Sequence, residues 1–240
     1  MANFRMCIAG QVAQIHSIFE STPAFFHRYL TDAPADFEFT ITEEDVEFER
    51  DFHLQEALEE GFRIRNFPDT FLERASIQRK FANRLFEKDI LLLHGSTISV
   101  DGQAYLFTAK SGTGKSTHTR LWRQLFGDRA VMVNDDKPFL KFTADGVLAY
   151  GSPWSGKHGL DSNICAPLKG ICILVRGAQN RIRKITAQEA MPMLLHQSHC
   201  PEGKSLDRLL DMLTRQVPLW YMECNKDLQA AQVAFDAMHK

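Results

Sequence analysis

The residues with the most legible chemistry are Ala109-Lys110-Ser111-Gly112-Thr113-Gly114-Lys115-Ser116-Thr117. Apart from Ala109, which stands where the pattern has Gly, the run matches the Walker A signature. Gly112 and Gly114 let the backbone curl so that successive N–H groups point inward at phosphate oxygens. Lys115 puts a positive charge on the β- and γ-phosphates, and Ser116 offers a hydroxyl to Mg2+. A helix starting there adds the positive end of its dipole. With Ser111, Thr113 and Thr117 in the same cradle, the stretch is expected to bind ATP with Mg2+. An ordinary glycine-rich surface turn is the plain alternative. It fits poorly with an apolar strand at Ala104–Thr108 feeding in and an amphipathic helix leading out. Ala109 implies that the first position needs no positive φ.

Downstream, an apolar stretch at Ala130–Val133 ends in Asn134-Asp135-Asp136. A buried strand that delivers acids at its C-terminal end, after such a loop, is placed to hold magnesium. One carboxylate reaches the metal, and the other accepts a proton from an attacking hydroxyl. Two adjacent acids repel, so one of them is expected to have a raised pKa. The competing reading is a solvated turn, since Asn and Asp favour turns.

Together with Leu93-His94-Gly95 upstream, these residues resemble the catalytic core of the HPr kinase/phosphorylase family. That family joins a His-Gly segment, a turn, a strand, a Ser-Gly-x-Gly-Lys-Ser loop and an Asp-Asp pair. ATP-dependent phosphoenolpyruvate carboxykinase looks like a more distant relative, and the likeness spans about residues 90–175. The resemblance implies Asp135 as general base, Asp136 and Ser116 at magnesium, Lys115 on the phosphates and His94 beside the catalytic acid. It also implies a tendency to form homo-oligomers. The family's Glu-x-Arg-Gly stretch is missing, with Pro167-Leu168-Lys169-Gly170 in the comparable place. The resemblance therefore leaves the phosphorylase reaction, and HPr itself as substrate, open.

Weaker candidates surround this core. Gly151-Ser152-Pro153-Trp154-Ser155-Gly156-Lys157-His158-Gly159 reads either as a loop closing over nucleotide or substrate, with Lys157 on the transferring phosphoryl, or as a long surface turn. Arg176 and Arg181–Lys184 offer charge for an anionic acceptor, although a short basic run is usually a solvated face. His196, His199 and Cys200 lack a fourth ligand and read as structural. The acidic stretch Glu43–Glu49 reads as solvated surface.

Positioning these residues requires an α/β fold, with a mixed, largely antiparallel sheet around the loop and flanking helices. Two regions are expected: a small α+β region over 1–89 and a kinase-like core over 90–240. In the first, Phe4–Ala9, Phe37–Ile41 and Val46–Phe48 read as strands. Phe71–Phe86 has helical spacing, with Phe71, Leu72, Ala75, Phe81, Ala82 and Leu85 on one face. In the second, Ile90–Leu93, Thr97–Val100, Tyr105–Thr108 and Ile171–Val175 read as strands, with hairpin turns at Asp101-Gly102 and Asp145-Gly146. Leu121, Trp122, Leu125 and Phe126 form the apolar face of the helix after the loop. Thr186-x-x-Glu189 is a capping box, and Ser205 is expected to cap a helix carrying Leu206, Leu209, Leu210 and Leu213. Pro218–Glu223 reads as a strand, and Leu228, Ala231, Phe235 and Met238 stripe a last helix.

Composition narrows the function classes. The 240 residues are 44% hydrophobic and 24% charged, with a formal charge of −2. That balance argues against a general nucleic-acid binder or a membrane-surface binder. No apolar run is long enough to span a bilayer. Five scattered cysteines without a Cys-x-x-Cys pair read as free thiols, so a cytoplasmic location is expected. The function expected is a magnesium-dependent kinase acting on a serine-type hydroxyl of a protein, peptide or small molecule. A non-catalytic nucleotide-sensing module and a simple ATP hydrolase are the other readings.

Overall fold

The computed structural model describes residues 1–59 and 61–240. The chain divides into two compact units, Met1–Leu85 and Phe86–Lys240. The first contains β1 (Ala2–Ile8), β2 (Gln11–Ser17), α1 (Thr22–Phe25), β3 (Phe37–Thr40), α2 (Glu43–Glu59) and α3 (Asp69–Phe86), whose last residue passes into the second unit. Its sheet runs β1-β2-β3, with β1 antiparallel and β3 parallel to β2.

Val46–Phe48 is not a strand but the second turn of α2. Three alternating residues are too few to separate a period of two from one of 3.6. The decisive local signal is at Thr42-x-x-Asp45. The Thr42 hydroxyl accepts from the Asp45 amide at 3.4 Å, and the Asp45 carboxylate accepts from the Thr42 amide at 3.0 Å. Glu43, Glu44 and Asp45 then sit in the first turn, where acids complement the helix dipole. Nor is the acidic stretch simply solvated. Glu49 is buried and accepts from Arg79 Nε at 2.6 Å, and Arg79 also reaches Asp45 at 3.2 Å.

The second unit contains β4 (Ile90–Leu92), β5 (Ser96–Val100), β6 (Gln103–Thr108), α4 (Lys115–Phe126), β7 (Ala130–Asn134), β8 (Phe139–Thr143), β9 (Gly146–Tyr150), β10 (Cys165–Arg176), β11 (Arg181–Lys184), α5 (Ala187–Gln197), α6 (Asp207–Gln216), β12 (Leu219–Cys224) and α7 (Leu228–Met238). The sheet runs β4-β8-β9-β10-β6-β5-β7, and β12 joins β10 and β11. It is mixed. Strand β10 lies parallel to β6 and β12 and antiparallel to β9, and the remaining pairings are antiparallel.

Burial on both faces explains why β6 from Ala104 to Phe107 and β10 from Ile171 to Val175 are continuously apolar rather than alternating. On β6, Ala104 and Leu106 join one core cluster with Ile171, Leu194 and Leu210. Tyr105 and Phe107 join the other, with Trp122, Cys172 and Met222. The ring of Trp122 lies 4.8 Å from that of Tyr105 and 5.2 Å from that of Phe107, which anchors α4 on the sheet. The Thr186–Glu189 capping box opens α5. Helix α6 begins one residue later than expected, with Leu206 at its N-cap. Ser205 instead accepts from the Asp207 amide at 3.1 Å, just outside the helix. Among the described residues no helix is long and apolar enough to cross a membrane.

Candidate functional site

Residues 109–114 connect the end of β6 to the start of α4. Gly112 and Gly114 have φ of 72° and 125°, values that a side chain would strain. Ala109 is fully buried and keeps negative φ, so its methyl group is accommodated. Gly112 and Ser111 are exposed, Thr113, Gly114, Ser116 and Thr117 are half-buried, and Lys115 is buried. Lys115 Nζ donates to the Ala109 carbonyl at 3.1 Å. Burial pulls the Lys115 ammonium below its usual pKa, while the charges of Asp136 and Asp135 oppose that pull.

The two acids at the end of β7 have different surroundings. Asp135 is only 6% exposed and accepts from Ser96 Oγ at 2.6 Å. Ser96 is paired with Thr119 on α4 at 2.8 Å. Burial pushes the Asp135 carboxyl above the ordinary carboxylate range, and hydrogen bonds from Ser96 and Ser116 and the charge of His158 partly offset this. Asp136 is accessible. Its Oδ1 accepts from His94 Nε2 at 2.9 Å, and the two side chains are 30% and 28% exposed. Burial raises the Asp136 carboxyl, but the His94 hydrogen bond and the charges of Lys137, His94 and Lys115 outweigh it and leave the pKa lowered. Burial likewise lowers His94, against the pull of Asp136.

Backbone contacts hold the group in place. The Gly95 amide donates to the Asp136 carbonyl at 3.0 Å, and Thr108 Oγ1 donates to the His94 carbonyl at 2.9 Å. Asn134 is fully buried. Its amide donates to the Ser152 carbonyl at 2.8 Å, while its Oδ1 accepts from the Asp136 amide at 2.7 Å. One side chain thus ties the 151–159 segment to the acids. A Cβ on Gly151 would stand 1.9 Å from the Ser162 carbonyl oxygen, so only glycine lets the chain pass there. Residues 151–155 are buried and 156–159 exposed, so the segment is a surface turn only at its tip.

The structure therefore brings His94, Lys115, Ser116, Asp135 and Asp136 together around the first turn of α4. Lys157 stands apart. It is exposed on the tip, and among the described residues no hydrogen bond or ion pair joins it to the acids. Ser96, Thr119, Asn134 and His158 belong to the same group but do not stand out in the sequence. Thr119 was signalled only by its spacing, three residues after Ser116 and so on the same helix face. No three His, Cys, Asp or Glu side chains converge as a metal-binding group among the described residues.

No protein-family model and no curated protein matches this chain. Among solved structures it is similar to the HPr(Ser) kinase/phosphatase from Coxiella burnetii. The two are 12% identical, over 62% of this chain and 99% of that one, with a TM-score of 0.37. This marks a distant likeness of fold and carries no argument about chemistry.

Proposed function

We propose that the chain binds a nucleoside triphosphate with magnesium at residues 109–117 and transfers its γ-phosphoryl group to a hydroxyl on a protein, peptide or small molecule. What supports this reading is the convergence at the start of α4 of a buried lysine, a buried acid held by hydroxyls and an accessible acid–imidazole pair. The loop amides and Lys115 cradle the phosphates. The oxygens of Ser116 and Asp135 suit a hard cation, and these two residues would hold magnesium if it entered with the nucleotide. When bound, the metal supplies positive charge against the phosphate oxygens.

Asp136 is the better proton acceptor on grounds of access. An incoming hydroxyl can reach a side chain that is 30% exposed but not one enclosed by Ser96 and Ser116. His94 orients the Asp136 carboxylate. As the acceptor oxygen bonds to the γ-phosphorus, its proton passes to Asp136, the bond to the bridging oxygen breaks, and a nucleoside diphosphate leaves. This exchanges the roles that the family resemblance assigns to Asp135 and Asp136. The lowered pKa of Asp136 makes it the weaker base of the two, so reach rather than basicity decides.

The test is Asp136→Asn, assayed with γ-labelled ATP and a cell extract as the source of acceptor. Nucleotide binding is expected to persist while labelled product falls by about 10²- to 10⁴-fold. Transfer at the unaltered rate sinks the assignment. Tight ATP binding by the unaltered protein, with no turnover in any extract, favours the nucleotide-sensing module instead.

A further inference from the structure

A cavity of about 390 Å3 opens beside the glycine-rich loop, away from the acids. Thr113, Gly114, Thr117 and His118 line one side, and the ends of β10 and β12 line the other with Leu174, Arg176 and Cys224 among their residues. Strands β6, β10 and β12 run parallel, with Ile173 opposite Thr108 and Arg176 opposite Cys224, so their C-terminal ends share one edge. Ligands of parallel sheets bind outside that edge. The cavity lies within the size range of small-molecule sites.

His118 supplies an independent sign of a ligand. It is 2% exposed, and its Nε2 accepts from Trp122 Nε1 at 3.1 Å. An indole nitrogen only donates, so Nε2 must be the unprotonated nitrogen and Nδ1 must carry the proton. Among the described residues, Nδ1 is buried without a hydrogen-bond partner. A buried donor left unpaired is costly, and a ligand acceptor atom would remove that cost.

Helix geometry sets the direction. Ser116 and His118 are two residues apart, about 200° around α4 at 3.6 residues per turn. Ser116 meets Asp135, so His118 faces the other way. A triphosphate held by the loop with its γ end at the acids would project its opposite end towards this cavity.

We propose that the cavity at the ends of β10 and β12 holds the nucleoside end of the nucleotide, and that His118 Nδ1–H donates to an acceptor atom on its base or ribose. Arg176 and Lys226 make the mouth cationic, which suits the neighbouring phosphates. The inference rests on the triphosphate reading above. The acceptor substrate is a poor occupant, because its hydroxyl must meet the γ-phosphorus on the Asp136 side.

The test compares the affinities of ATP, GTP and inorganic tripolyphosphate, each with magnesium, by calorimetry. At least one nucleotide is expected to bind more tightly than tripolyphosphate. His118→Gln keeps an acceptor for Trp122 but has no donor at the Nδ1 position, so it should narrow that gap by roughly 5- to 10-fold and leave tripolyphosphate unaffected. Cys224→Phe fills the cavity from the β12 side and should narrow the gap too, independently of α4. Equal affinity for nucleotides and tripolyphosphate, or a gap unchanged in both variants, overturns the proposal while the phosphate reading stands. Binding of none of the three probes defeats the triphosphate reading and this proposal with it.

Discussion

Glu73 in the first unit and Asp135 in the second are both buried carboxylates, but different kinds of donor hold them. Glu73 is fully enclosed. It accepts from the backbone amides of Ile18 and Phe19 and from the Thr22 hydroxyl. Asp135 accepts from the side-chain hydroxyl of Ser96, while the nearby Ser116 hydroxyl favours its charged form and Asp136 and His158 act on it as neighbouring charges. A backbone amide only donates and cannot turn away, so Glu73 is locked to the segment that follows β2. A hydroxyl rotates, and it accepts as readily as it donates. The hydroxyls beside Asp135 can therefore reorient without any movement of the backbone. Burial alone does not distinguish the two acids; the freedom of their donors does.

The largest expected effect is on the locked acid. Glu73→Ala leaves two amides and a hydroxyl of the first unit without their acceptor, a loss of roughly 2–4 kcal/mol in unfolding free energy. A loss under about 1 kcal/mol in urea unfolding would mean that water replaces the carboxylate at little cost, and the contrast with Asp135 would break.

Asp135→Asn should act in the opposite direction on stability. The folded-state pKa of Asp135 is raised above the ordinary 3.8. Its protonated form is therefore favoured by folding, and that contribution is fully present below pH 3.8 and lost as pH rises through the folded-state pKa. At neutral pH the buried charge costs stability, and asparagine removes it. Without metal or nucleotide, the variant should melt above the parent at pH 7, and the difference should shrink in acid. Magnesium-dependent nucleotide affinity should fall by roughly tenfold or more, as for a lost charged hydrogen-bonding partner. A variant that melts lower at pH 7 while keeping that affinity would place Asp135 with Glu73 as a structural acid.

The same contrast shows what can be read from sequence. The glycine-rich turn between β6 and α4 and the acids that end β7 were legible as local features, because an apolar strand leads into each and residue types with strong turn preferences follow. Strands such as β4 and β6 were legible because burial on both faces gives them continuous apolar runs. The Glu73 tether was not, since it joins α3 to residues 18–22 and no local pattern links an acid in a helix to amides so far away. Val46–Phe48 is ambiguous in the sequence because its three residues fit either period, and the Thr42–Asp45 cap that decides the matter uses Asp in place of the usual Glu or Gln. The different surroundings of the two aspartates were likewise invisible, because they depend on Ser96 reaching Asp135 from β5 and on His94 reaching Asp136. Lys157, chosen for its charge in a glycine-rich loop, turned out to sit on the exposed tip, while the neighbouring Asn134 holds that loop in place.

Ser96→Ala is the gentlest probe, because it removes one rotating donor and leaves the shape almost unchanged. The Ser96 hydroxyl favours the charged form of Asp135, and so holds down a carboxyl that burial pushes up. Without it the folded-state pKa of Asp135 should rise further. The neutral-pH stability should drop by about 1 kcal/mol, the usual worth of one buried hydrogen bond, and the deficit should shrink in acid, where Asp135 is protonated in both proteins. A carbon-13 NMR titration of the Asp135 carboxyl reads the shift directly. An unchanged pKa would mean that Ser116 alone holds the charge. In that case the Ser96–Thr119 pair belongs to the packing of α4 against β5, and the freedom to exchange partners resides in a single hydroxyl.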